Sequence, residues 1–178
     1  MTEIARLLCL NVFVAMSYWG ISHINWLVFS SVGVLPMPIW PAAAIALVAA
    51  LNWGWTVAPG IALGAFLANF FSLGASFAFA GCISIMNTVG PVVGASLIRL
   101  RITDKFKFRS LGDIGYVLAI GVCLVPLMTA VGGIGSKFFL GLLPPDKIAI
   151  SVSRWALAHA LGTLLFAVPY LVWAGGKK

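Results

Sequence analysis

The chain has 178 residues, 62% of them hydrophobic and 8% charged, with a formal net charge of +7. At a mean hydropathy of +1.09, that much apolar surface has no place in a water-soluble domain, and a polytopic membrane protein is expected. The positive balance is not a nucleic-acid signature, because the bases fall in short loops beside apolar spans, where they set orientation and meet anionic lipid.

No charged residue lies between Arg6 and Arg99, which is room for four crossings of about 20 residues each and leaves little for a soluble module. A single integral membrane domain over residues 1–178 is expected. The first helix is predicted over 6–29, and Asn11, Ser17, Ser22, His23 and Asn25 make its outer half the wetter one. One base, Arg6, followed by a long apolar run without a small-residue cleavage site reads as a membrane helix and not as a removed signal peptide.

The stretch from Pro36 to Gly60 is apolar enough for lipid yet broken at both ends. Pro36, Pro38 and Pro41 lack amide hydrogens and crowd the preceding turn, so regular helix is excluded before Trp40. A second helix is predicted over 41–52, too short for a straight crossing of about 20 residues at about 1.5 Å each. Irregular backbone persists at membrane depth only where protein or water satisfies its polar groups. This hairpin is therefore expected inside the bundle or along a cavity, and it is the first place to look for a ligand.

The turn Asn52-Trp53-Gly54-Trp55 carries two indoles suited to a membrane interface. A third helix is predicted over 59–73 with Gly60-x-x-x-Gly64, and a fourth over 77–98 with Gly90-x-x-x-Gly94; small residues at this spacing let a neighbouring helix approach closely. A kink is expected near Pro91. Arg99, Arg101, Lys105, Lys107 and Arg109, against Asp104 and Asp113, mark a cytoplasmic loop. The fifth helix, predicted over 114–139, contains Pro126 and Val131-Gly132-Gly133-Ile134-Gly135, which predict a loose or bent outer third. The sixth covers 152–174. Six spans place both termini in the cytoplasm, in agreement with Arg6, Lys177 and Lys178. The expected fold is an all-α polytopic membrane bundle of about six transmembrane helices with a short, proline-flanked second helix.

Ionisable groups inside a membrane are costly to bury, and each is a functional candidate. His159 and His23 fall at similar depth in the outer leaflet; they either share a metal or haem or bond backbone and hydroxyl groups across helices. Two imidazoles are an incomplete metal shell, so neither metal nor cofactor is expected. Arg154 at the mouth of the sixth helix either snorkels to headgroups or meets an anionic ligand. Asn69, Asn87 and Thr88 either bond across helices or hold a small ligand. Of the tryptophans, mostly interface anchors, Trp40 between its prolines is the exception expected to face a site. Cys9, Cys82 and Cys123 read as small buried hydrophobes. No Ser/His/Asp set, carboxylate pair, phosphate loop or cysteine-rich metal spacing occurs, so an enzyme is not expected.

The segments Ile39-Trp40-Pro41-Ala42-Ala43-Ala44-Ile45-Ala46-Leu47 and Ala58-Pro59-Gly60-Ile61-Ala62-Leu63-Gly64-Ala65-Phe66-Leu67-Ala68-Asn69 resemble, in order and gap, the first family of bacterial membrane-associated sensor domains, the MASE group. Asn87-Thr88 followed by Gly94, Arg99 and Arg101 is similar to that family's Asn-Thr helix ending in paired bases, and Ala160-Leu161-Gly162 with Pro169 to its Asp-x-Leu-Gly helix. The likeness spans about residues 36–174. It departs at Gly90 and His159, where the family carries a glutamate and an aspartate, so no role is transferred there.

The resemblance implies a sensory domain of the bacterial inner membrane that binds a small ligand or a membrane partner. The signal would leave through the last helix to a histidine kinase of a two-component system, a cyclic-dinucleotide output domain, or a separate partner protein, with a second copy of the chain as a further partner. Two other classes fit the size: a substrate-capture subunit of an energy-coupling vitamin or metal importer, and a structural subunit of a membrane complex. The importer subunits commonly dock through small-residue triplets on helix one, which Ala5, Cys9 and Phe13 supply poorly.

Overall fold

The computed structural model describes residues 2–103, 108 and 110–176. Asp104, Lys105, Lys107, Arg109, Lys177 and Lys178, part of the expected cytoplasmic charge set, lie outside the described residues. All regular structure among the described residues is helical. Five helical runs are long and apolar enough to cross a membrane: Glu3–Ser31, Ala42–Ser72, Phe77–Arg101, Leu111–Phe139 and Pro145–Gly175.

The second run is not straight. Helix α1 (Glu3–Ser31) is followed by an extended approach and then by α2 (Ala42–Trp53), a single 3-10 turn (Gly54–Val57), and α3 (Ala58–Leu67), which continues as a π turn over Ala68–Ser72. Contacts fix the directions. Asn11 bonds the Thr56 carbonyl at 2.9 Å and the Gly60 amide at 2.7 Å, and Trp19 bonds the Ser72 hydroxyl at 3.2 Å, so α3 runs parallel to α1. Asn25 instead meets Ile39 at 3.0 Å and Trp40 meets Tyr18 at 3.3 Å, so the chain has come back along α1 before α2 starts. The helices α2 and α3 are antiparallel arms of a hairpin. The 12 residues of α2 rise about 18 Å, and the irregular approach precedes them on the same arm.

Gly54 makes the reversal. Its φ of +66° lies in the left-handed region that L side chains avoid. A Cβ there would also stand 3.1 Å from Nη1 of Arg99, whose Nε donates to the Leu51 carbonyl at 3.0 Å and so closes the C-terminus of α2 with a cation. Gly54→Ala is expected to cost about 1–3 kcal/mol, read as a lowered unfolding temperature of the detergent-solubilised protein.

Helix α4 (Phe77–Arg101) begins at Ser76, whose hydroxyl accepts from the Phe79 amide at 3.3 Å, and runs through Pro91 without a change of helix type. Helix α5 (Leu111–Val117) opens with a Ser110/Asp113 capping box and passes through a π stretch (Leu118–Leu124) into α6 (Val125–Phe139). Helix α7 (Ile148–Gly162) passes likewise through Thr163–Ala167 into α8 (Val168–Gly176). Both π stretches end just ahead of a proline, Pro126 and Pro169, where the missing amide releases a carbonyl and a wider turn relieves the ring's clash with it. The expectation of a loose glycine-rich end to the fifth helix is corrected: residues 131–135 are regular α-helix. Met86 and Trp155 crowd Gly132 and Gly133, where an added Cβ would stand 2.3 and 3.2 Å from them, so close packing holds a segment whose own propensity is poor.

Both small-residue pairs do what their spacing predicts. A Cβ at Gly60 or Gly64 would come within 2.6 Å of the Asn11 carbonyl or 2.7 Å of Ala15 and Tyr18, and Gly90 lies similarly against Thr129. The core sits around α2, whose Ala42, Ala46, Leu47, Ala50 and Leu51 are almost fully buried; Ile4, Phe13, Ile85, Val131 and Leu165 point outward, as lipid contact requires.

Candidate functional site

The extended approach is held against the last helix by main chain. Gly162, with no side chain, lets the Trp40 carbonyl lie directly upon it, and the Trp40 amide donates to the Ala158 carbonyl at 2.9 Å. On its other side the Trp40 indole N–H donates to the Tyr18 hydroxyl at 3.3 Å. Asn25 donates to the Ile39 carbonyl at 3.0 Å. Asn25 of α1 and the Ala158 carbonyl of α7 thus satisfy main-chain groups of a segment that proline keeps out of a helix.

Against this segment lies a ring stack. The His159 ring is flanked by Trp40, centroids 6.1 Å apart and planes 26° apart, and by Trp155 one helical turn earlier, at 5.6 Å and 15°. Nδ1 of His159 lies 3.2 Å from the Trp155 carbonyl. A carbonyl only accepts, so Nδ1 carries the hydrogen and Nε2 is left as a bare acceptor.

Beside the stack opens a cavity of about 390 Å³, within the size range of small-molecule sites. Its walls come from five parts of the chain. Pro36, Met37 and Trp40 come from the approach, Asn69 and Leu73 from the end of α3, and Asn87 from α4. Ile134 and Lys137 come from α6, and Ser151, Arg154, Trp155, Ala158 and His159 from α7. Three buried polar atoms here have no hydrogen-bond partner among the described residues: Oδ1 of Asn87, Nε1 of Trp155 and Nε2 of His159. Such groups are normally paired. Two cations stand at the wall, Lys137, whose ammonium is 5.8 Å from the Phe79 ring centroid, and Arg154, which is exposed. No carboxylate among the described residues lines the cavity.

Of the residues singled out from sequence, Trp40, Asn69, Asn87, Arg154 and His159 meet in this one cavity, and two do not. Thr88 is buried, but its hydroxyl donates to the Ser84 carbonyl of its own helix at 2.7 Å. His23 does not line the cavity and stands 3.0 Å from the Ser72 hydroxyl, stacked on Trp26 at 5.7 Å, so the cavity brings in only one of the two histidines. No group of three His, Cys, Asp or Glu residues able to hold a metal occurs among the described residues. Trp155 and Lys137 were missed as site residues. The four-residue spacing of Trp155 and His159 on one helix puts their rings on one face and was the available signal; Lys137 lay behind a glycine run expected to be irregular.

Residues 9–177 match the MASE1 family. The chain belongs to that family. MASE1 domains are membrane-associated sensory domains, and the match covers every wall of the cavity. No curated protein matches the chain, and no solved structure does. In this MASE1 domain the two segments that carried the resemblance are the arms of the α2–α3 hairpin, with Trp40 and Asn69 at its cavity end. Of the two departures, Gly90 leaves no space for a larger side chain against Thr129, and His159 stands in the cavity.

Proposed function

We propose that this MASE1 domain is a non-catalytic receptor of the bacterial inner membrane. It takes a small ligand into the cavity beside Trp40 and passes the signal through α7 and α8 to a histidine kinase, a cyclic-dinucleotide output domain or a separate partner. Six passages put both chain ends on the side of Arg99 and Arg101, and by the positive-inside rule that side is the cytoplasm. The cavity then opens toward the outer face. Family membership supports this reading over an importer subunit.

The observation that carries the proposal is the shared wall. The cavity is bounded by the approach to α2 and by α7, which the Trp40 amide ties to the Ala158 carbonyl. A ligand touching both sides changes how they pack. At the other end of the same two elements, Asn52 reaches the Tyr170 hydroxyl at 3.5 Å, so a tilt of the last helix against α2 alters that junction. The π stretch between α7 and α8 is a natural place for such a tilt. Ligand shifts the two packings only by its difference in affinity for them.

Native mass spectrometry of the solubilised chain tests the first step. A retained small molecule is expected on the wild type and not on Asn87→Leu; equal adducts on both, or none on either, would count against a receptor cavity.

A further inference from the structure

Resting on the receptor reading, the chemistry of the cavity wall narrows what the ligand is. We infer that the cavity takes a small hydroxylated anion, a carboxylate or phosphate that also carries neutral hydroxyl groups.

Complementarity sets each feature. Lys137 and Arg154 line the wall, and no carboxylate among the described residues lines it with them. Neither makes an ion pair among the described residues; the salt bridges found there join Arg101 to Asp113 and Lys147 to Asp146. An anion answers those two cations. Trp155 Nε1 is a donor without an acceptor, which an anionic or hydroxyl oxygen supplies. Asn87 Oδ1 and His159 Nε2 are acceptors without donors, and an anion alone offers them nothing, so the ligand brings hydrogens of its own. Those hydrogens are neutral. An ammonium group would enter beside two cations with no carboxylate to receive it, which disfavours amino acids and amines. Asn87 and His159 are 3% and 7% exposed, so their unpaired atoms are buried and gain the most from a partner.

Two sources supply this chemistry, soluble hydroxy acids or polyol phosphates and the headgroup of phosphatidylglycerol. The test is calorimetric titration of the intact chain in phosphatidylcholine nanodiscs with gluconate, glycerol 3-phosphate, propionate, alanine and sorbitol, repeated in discs containing phosphatidylglycerol.

Saturable binding of gluconate or glycerol 3-phosphate is expected, at least tenfold tighter than propionate, alanine or sorbitol and weakened at least tenfold in Arg154→Gln. If the lipid is the source, discs with phosphatidylglycerol suppress that binding; if a soluble anion is, they leave it unchanged. Asn87→Leu is expected to lose the preference for gluconate over propionate. Arg154, being exposed, can be changed without disturbing the core should Asn87→Leu fail to fold. Propionate or alanine binding as tightly as gluconate would overturn the hydroxylated-anion inference and leave the receptor reading standing. No binding by any probe in either disc overturns the inference, and the native mass spectrum then decides separately whether the cavity holds a ligand at all.

Discussion

Gly162→Ala is expected to destabilise the domain by about 3 kcal/mol, at the upper end of overpacking costs, although alanine is the better helix former by about 1 kcal/mol. An added Cβ at this position falls on the Trp40 carbonyl. The neighbour is backbone, held on both sides by the Trp40–Ala158 and Asn25–Ile39 hydrogen bonds, so it cannot rotate away. Relief comes only by pulling the approach off α7, which opens the site as well as the core. Unfolding monitored in detergent against Leu161→Ala, an outward-facing neighbour, gives the comparison. A marked fall for Gly162→Ala with little change for Leu161→Ala is predicted, whereas a gain for Gly162→Ala would mean that α7 and the approach do not touch.

His159→Phe is expected to separate stability from ligand binding. Phenylalanine keeps a flat ring between Trp40 and Trp155 and removes the buried, unpartnered Nε2, whose burial costs about 1–3 kcal/mol. The ligand-free domain should hold or raise its unfolding temperature. Ligand retention should fall at least tenfold, the equivalent of one lost hydrogen bond of about 1.4 kcal/mol. If His159 only filled space, retention would survive; if it were needed for folding alone, both properties would fall together.

The outline of the fold was legible because proline and charge are strong signals in lipid. Three prolines before Ala42 excluded helix where none forms, and the long uncharged run fixed an integral membrane protein. Element ends moved by about a turn: α4 reaches Arg101 and α7 starts at Ile148, where capping and solvation decide and hydropathy does not. The reversal at Gly54 was expected as an interfacial turn, but its hinge on one left-handed residue emerges only from the backbone. At the site, Asn87 and Thr88 looked alike in sequence. Adjacent residues on a helix point about 100° apart, so one meets the cavity and the other turns to its own Ser84 carbonyl. Lys137 was hidden because packing against Met86 and Trp155 straightens a glycine run that propensity alone would break.

In the proposed receptor, a ligand in the cavity at one end of the bundle changes the junction at the other. The most direct measurement is the rate of disulfide formation between cysteines at positions 52 and 170, in a chain whose Cys9, Cys82 and Cys123 are replaced by alanine, with and without saturating gluconate or glycerol 3-phosphate. A several-fold change in rate, abolished by Arg154→Gln, is predicted. An unchanged rate under a ligand that calorimetry places in the cavity would contradict the account.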